Sequence, residues 1–130
     1  MADKLRLLIV DDSKIALAQL GSIIGGIEGA EVTETASDGV SAIRCAAGAK
    51  PDLILMDIVM PEMDGLSALR MLHAKDPDVR VAMVSSLGGS GSHAEEAFRL
   101  GAIQVIGKPF DVEQIESLIS AEINHRAQAK

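Results

Sequence analysis

Three carboxylates, a hydroxyl and an ammonium stand at comparable places along this chain, each just past a short apolar run. Asp11 and Asp12 follow the run 7–10, Asp57 follows 53–56, Ser85 follows 80–84, and Lys108 follows 102–106 and Gly107. Three carboxylates drawn into one cleft repel one another unless a cation joins them. Such oxygen ligands suit a hard divalent ion, and one or two carboxylates completed by water and phosphate oxygens is the usual Mg2+ arrangement. A carboxylate beside that ion can attack phosphorus and form an aspartyl phosphate. Lys108 would offset the charge of the transferred group, and the Ser85 hydroxyl could hydrogen-bond it.

Taken singly, each residue has a plainer reading. Asp11 and Asp12 are common turn or cap residues, and Asp57 precedes a Met60-Pro61 turn. Ser85 is unremarkable alone, and Lys108 before Pro109 reads as a solvated loop lysine. Their joint placement is what matters, and it rests on the elements that would carry them.

Residues 7–10, with Leu5, form an apolar run without helical period, the pattern of a strand buried on both faces. A helix follows over 13–24, with Leu17, Leu20 and Ile24 at helical spacing and Gly25-Gly26 as its stop. Residues 31–36 alternate as in a strand nearer an edge. Asp38 can cap a helix to about Ala47, and 53–56 is a third strand. After Met60-Pro61-Glu62-Met63-Asp64-Gly65, a helix carries Leu66, Leu69 and Leu72 near one face. A strand over 80–84 leads to the loop Gly88-Gly89-Ser90-Gly91. Ser92 with Glu95 then makes a capping-box pattern, and Leu100-Gly101 closes that helix. A last strand over 102–106 precedes a helix opened by Asp111 and Gln114, and 125–130 is expected to fray.

Five strands alternating with five helices imply an α/β fold: a doubly wound, five-stranded parallel sheet with right-handed crossovers and helices on both faces. In such sheets the ligand site lies beyond the carboxyl ends of the strands. The switch-point rule selects Asp11, Asp12, Asp57, Ser85 and Lys108 by position alone, independently of residue type.

Composition sets outer limits. The 130 residues suit a single domain, 1–130, with a core over about 5–121, and the 48% hydrophobic content can fill it. With two Phe and no Tyr or Trp, that core must be aliphatic. A net charge of −7 argues against direct nucleic-acid binding. Cys45, the only cysteine, cannot form an internal disulfide and reads as a small buried hydrophobe in a cytoplasmic protein. The apolar run after Lys4 and Arg6 ends too soon for a signal peptide, and no stretch approaches a membrane span.

Four pieces together resemble the response-regulator receiver family: Leu7-Leu8-Ile9-Val10-Asp11-Asp12-Ser13, Asp57-Ile58-Val59-Met60-Pro61-Glu62-Met63-Asp64-Gly65, Ser85-Ser86, and Lys108-Pro109-Phe110. The resemblance implies a flavodoxin-like strand order, 2-1-3-4-5. It implies that Asp57 accepts a phosphoryl group from a histidine-kinase phosphohistidine. Mg2+ would be bound by Asp12, Asp57 and the Val59 backbone carbonyl, and by Asp11 through water. Lys108 would contact the phosphoryl, Ser85 would reorient toward it, and Lys108–Pro109 would be a cis peptide. Members of this kind also take up phosphoryl groups from small donors and slowly hydrolyse them. Output would pass to a downstream protein target, such as the flagellar motor or another chemotaxis component, with the protein a monomer or a phosphorylation-dependent dimer.

The chain departs from the family pattern in places. The position that often holds Tyr or Phe is Val105, and Ser86 stands where Ala is common. The Ser85-Ser86-Leu87 run is similar to receivers attached to chemotaxis methylesterases, and the lack of a following effector segment suggests a stand-alone, chemotaxis-type shuttle. Without an aromatic ring at Val105, the switch is expected to run from Ser85 through the loop 86–91 to the helix starting near Ser92. That helix, the last strand and the last helix would form the partner face.

Other patterns compete with this reading. Gly89-x-Gly91-x-x-Ala94 matches a dinucleotide fingerprint, but the next strand ends in Gly107-Lys108 where an acid is required. Gly101 to Pro109 is not a P-loop, having one spacer too many and Pro for Ser or Thr. His73, His93 and His125 lack metal-ligand spacing and read as surface residues. The rival functions are a small aspartyl-phosphate phosphohydrolase, which needs a substrate pocket and usually a cap insertion, and a non-phosphorylated receiver-like scaffold, against which the intact Asp11, Asp12, Asp57 and Lys108 argue.

Overall fold

The computed structural model describes residues 3–61, 63–86 and 91–128. Strands and helices alternate: β1 (Leu5–Val10), α1 (Lys14–Gly25), β2 (Ala30–Ala36), α2 (Gly39–Ala49), β3 (Leu53–Asp57), α3 (Gly65–Lys75), β4 (Val81–Ser85), α4 (Ser92–Arg99), β5 (Gln104–Gly107) and α5 (Val112–Gln128). All pairings are parallel, and the order is β2-β1-β3-β4-β5. β3 and β4 are buried along their whole length, whereas β2 is an edge strand with exposed Glu31, Glu34 and Thr35.

Because successive strand residues point to opposite faces, each apolar run feeds two cores. Leu8, Val10, Ile54, Met56, Val81, Met83 and Val105 point to one face, where Ala42 and Ile43 of α2, Ala68, Leu69 and Leu72 of α3, and Ala94 and Ala97 of α4 cover them. Leu7, Ile9, Leu53, Leu55, Ala82, Val84 and Ile106 point to the other, under Leu20 and Ile24 of α1 and Ile115, Leu118 and Ile119 of α5. This is why the central strands read as continuous apolar runs rather than alternating ones. The cores are aliphatic: Phe98 is half exposed and Phe110 only packs against the second core. Cys45 is a free thiol, partly rather than fully buried against the first core.

Side chains cap the starts of α1, α2, α3 and α5. Ser13, Asp38 and Asp64 accept hydrogen bonds from the backbone N–H groups of Ala16 (3.2 Å), Ser41 (2.8 Å) and Ser67 (2.8 Å). α4 differs from the sequence expectation. Its N-cap is Gly91, at φ +91°, with no side-chain cap bond, so Ser92 is already helical and the Ser92–Glu95 box does not form. Asp111 accepts from the Glu113 N–H at 2.9 Å at the start of α5. β5 starts at Gln104 rather than at residue 102, because the Ala102 N–H closes the end of α4 on the Ala97 carbonyl.

The stretch expected to fray instead continues α5 to Gln128; residues 129–130 lie outside the described residues. Arg126 donates to the carbonyls of Lys4 and Asp3 and to Asp52. Asp52 also accepts from the Arg6 N–H at 2.8 Å, and the Arg6 guanidinium holds the carbonyls of Ala49 and Lys50. Lys50, at φ 47°, is the one non-glycine with positive φ among the described residues. These bonds gather the end of α2 and the end of α5 at the amino edge of the sheet, away from the strand-end residues.

Candidate functional site

The sheet delivers four strand ends to one rim. Asp11 directly follows β1, and its N–H extends the ladder to the Ala36 carbonyl (3.1 Å). Its Oδ1 accepts from the Ser13 N–H at 2.9 Å, the Asx turn that starts α1. Asp57 ends β3 and Ser85 ends β4. Ser85 is in register with Gly107, and its carbonyl accepts from the Lys108 N–H at 3.2 Å. The Lys108–Pro109 peptide is cis, as expected.

Asp11, Asp57 and Ser85 are buried, while Asp12 is exposed. Lys108 Nζ lies 2.9 Å from Asp11 Oδ2 and 3.1 Å from Asp57 Oδ2. The second contact is a hydrogen bond. The first is a close ion pair, and Asp11 Oδ2 is buried with no hydrogen-bond partner among the described residues. Asp57 Oδ1 accepts a long, 3.4 Å bond from the Val59 N–H.

The electrostatics follow from this crowding. Burial raises the Asp57 pKa, and the neighbouring Asp11 charge raises it further; Lys108 and the Val59 N–H pull the other way without prevailing. For Lys108, burial favours the neutral amine, but the close contacts with the Asp11 and Asp57 carboxylates and their charges together outweigh it and raise its pKa. The pocket is therefore short of positive charge although one ammonium already sits in it.

Oxygen atoms of Asp11, Asp12 and Asp57 lie within 4.8 Å of one another. Together with the donorless Asp11 Oδ2, this all-oxygen set fits a hard divalent cation such as Mg2+.

Gly65 sets the floor of the loop after Asp57. Its N–H donates to the Ile58 carbonyl at 2.7 Å, and a Cβ there would stand 2.2 Å from the Asp57 carbonyl oxygen and 2.9 Å from Ile58 Cα. Sequence reasoning took Gly65 only as part of a turn; the Asp-Gly pair ahead of an apolar helix was the available signal. Val59 is a rim residue with its side chain 66% exposed.

Not every expected residue meets at the pocket. Val105 is buried in the core beneath α4, paired with Met83. Glu62 and the loop Leu87-Gly88-Gly89-Ser90, including Gly89 of the dinucleotide-like pattern, lie outside the described residues. His93 and His125 are exposed, as expected. His73 is not a plain surface residue: it is partly buried, and its two ring nitrogens face backbone carbonyls of Leu100 (2.8 Å) and Val79 (3.2 Å).

Fold and site together define a doubly wound α/β domain with an acidic, lysine-bridged pocket at its switch point. The response regulator receiver domain family matches residues 7–120, and the chain belongs to that family. It is 39% identical to the chemotaxis protein CheY of Listeria monocytogenes over 85% of this chain and 92% of that protein. It is also 39% identical to a protein-glutamate methylesterase/protein-glutamine glutaminase of Myxococcus xanthus, but spans only 30% of that longer protein. Among solved structures, the response regulator domain of Thermotoga maritima CheB aligns with a TM-score of 0.82 at 36% identity, covering 94% of this chain and 95% of that one. CheY in the CheX–CheY–BeF3–Mg2+ complex of Borrelia burgdorferi aligns at 0.85 and 31% identity, covering 92% and 89%. No described helix is long and apolar enough to cross a membrane.

Proposed function

We propose that this receiver accepts a phosphoryl group on Asp57 from the phosphohistidine of a histidine kinase and, in that state, changes its affinity for a downstream protein. The observation that carries the proposal is the single ammonium of Lys108 set between two buried carboxylates at the strand ends. Asp57 stands at the centre of the rim, one oxygen on Lys108 and the other, Oδ1, on a long Val59 N–H contact that leaves it available to react. Its oxygen attacks the phosphorus, the P–N bond to the kinase histidine breaks, and that electron pair leaves on the imidazole. Lys108 then shifts from a carboxylate pair to the phosphoryl oxygens, and Ser85, at the neighbouring strand end, offers its hydroxyl to them.

Asp12, Asp57 and the Val59 carbonyl would hold Mg2+ directly, and Asp11 through water. When bound, the ion would neutralise the charge that accumulates on the transferred group. The same residues would support slow uptake from small donors and slow self-hydrolysis.

The likeness to CheY over nearly its full length favours a chemotaxis-type role in the cytoplasm, with the kinase and a chemotaxis component as partners. The partner face would comprise α4, β5 and α5, where Phe98 is 44% exposed on α4. The test is labelling with acetyl phosphate or phosphoramidate in Mg2+. One base- and hydroxylamine-labile phosphoryl group should appear per chain, and none in Asp57→Asn. Equal labelling of the variant would overturn the assignment.

A further inference from the structure

His73 lies on the last turn of α3, away from the acidic pocket, yet it is tied to two other elements. Nδ1 is 2.8 Å from the Leu100 carbonyl at the end of α4, and Nε2 is 3.2 Å from the Val79 carbonyl just before β4. Carbonyls only accept, so each contact is a hydrogen bond when the facing nitrogen carries a proton. The ring also rests on Gly101: a Cβ there would lie 2.3 Å from His73 Cε1 and 2.6 Å from Nδ1. Gly101 is at φ +102°, which closes α4 and leaves that space open for the imidazole.

The two ends of α4 are held differently. At its C-terminal end, besides His73, Leu100 N–H bonds the Glu96 carbonyl (2.9 Å), Ala102 N–H the Ala97 carbonyl (2.9 Å), and Ile103 N–H the Val81 carbonyl (2.8 Å). At its N-terminal end, Gly91 supplies no side-chain cap. Ala94 and Ala97, the helix's buried residues, are small. We infer that His73 is a positioning residue that fixes the C-terminal end of α4 to α3 and β4, so that movement of this helix is concentrated at its Ser92 end. The contact gives α3 a direct grip on α4, the helix that follows β4 and Ser85 in the chain, through groups that take no part in the acidic pocket.

Amide hydrogen exchange on the full chain tests this. In the wild type, Leu100 and Ala102 should exchange more slowly than Glu95 and Glu96. In His73→Ala, exchange at Leu100 and Ala102 should rise at least about tenfold, while Leu55 and Met56 in β3 stay unchanged; His73→Gln, which can still donate to one carbonyl, should recover part of the protection. Unchanged protection at Leu100 and Ala102 would overturn the inference. A mutant cycle gives a second arm. Gly101→Ala should destabilise the His73→Ala background less than the wild type, because the contact with the ring is gone while the backbone strain remains. Equal effects in both backgrounds would also overturn it. A third arm rests on the receiver reading: with Mg2+ and beryllofluoride, exchange changes in wild-type α4 should grow from Leu100 toward Glu95 and lose that gradient in His73→Ala. A gradient that survives in the variant overturns the role of His73. A wild type silent at Val59 and Ser85 overturns the reading of the pocket instead, with the first two arms still deciding the anchor.

Discussion

Gly65 and Asp57 are in backbone contact: the place a side chain would take on Gly65 is 2.2 Å from the Asp57 carbonyl oxygen. The first turn of α3 is thereby pressed against the strand end that carries the pocket's central carboxylate. A backbone oxygen cannot rotate away as a side chain can, so any Cβ must displace 57–58 or lift α3.

Gly65→Ala should therefore cost at least about 2 kcal/mol in urea unfolding, at the upper side of ordinary overpacking. It should also slow labelling of Asp57 from acetyl phosphate more than it lowers stability at the assay temperature. Wild-type stability in this variant would show that the loop has slack which the geometry denies.

Lys108 sits where a cation is wanted, 2.9 and 3.1 Å from two carboxylates. Lys108→Ala should bind Mg2+ more tightly in the unphosphorylated state, by roughly tenfold, since a competing charge is removed at short range. The variant should still accept phosphate, because the nucleophile is intact, but should fail to change partner affinity. Titration calorimetry and a partner-binding assay separate the two effects; normal partner switching would sink the signalling role given to Lys108.

The raised pKa of Asp57 fixes the sign of a pH effect. Its ordinary value is 3.8 and the folded value lies above it, so the fold disfavours the ionised carboxylate. Stability tied to this group is full below pH 3.8 and is lost as pH rises through the folded pKa. Without divalent cations, Asp57→Asn should thus be more stable than the wild type at pH 7. That advantage should shrink as pH falls toward 3.8 and as Mg2+ is added to the wild type. A destabilised variant at pH 7 in EDTA would mean that the Lys108 bond outweighs burial.

Arg80 and Glu122 form a two-pronged pair, at 2.8 and 3.1 Å, between the start of β4 and α5. Glu122 is buried, so removing its partner strands a charge. Arg80→Ala should cost about 2–3 kcal/mol, and Glu122→Gln, which keeps the shape and one acceptor, should cost less. Chemical denaturation of both variants checks the order.

The sheet and the pocket were legible in the sequence for one reason: central strands of a parallel sheet must be apolar on both faces, so the first polar residue after each run marks the rim. That rule picked out Asp11, Asp57 and Ser85 before any geometry was known. It was blind to contacts between elements distant in sequence. His73 looked like surface because nothing near it in sequence shows that Leu100, Gly101 and Val79 enclose its ring. Ser92 looked like a cap because its spacing to Glu95 was right, yet the chain enters α4 through Gly91. The end of α5 looked frayed because its anchor, Arg126, finds its partners at Asp3, Lys4 and Asp52.

The aliphatic cores have an optical consequence. With no Trp and no Tyr, the chain has no absorption in the indole and phenol bands, and its two Phe absorb at shorter wavelengths and emit weakly. Val59 is two residues from Asp57 and 66% exposed, so an indole there has room without disturbing either core. Val59→Trp would be the chain's single indole, excited selectively at wavelengths Phe does not absorb, and its emission would report cation binding, phosphoryl arrival and partner docking at the pocket.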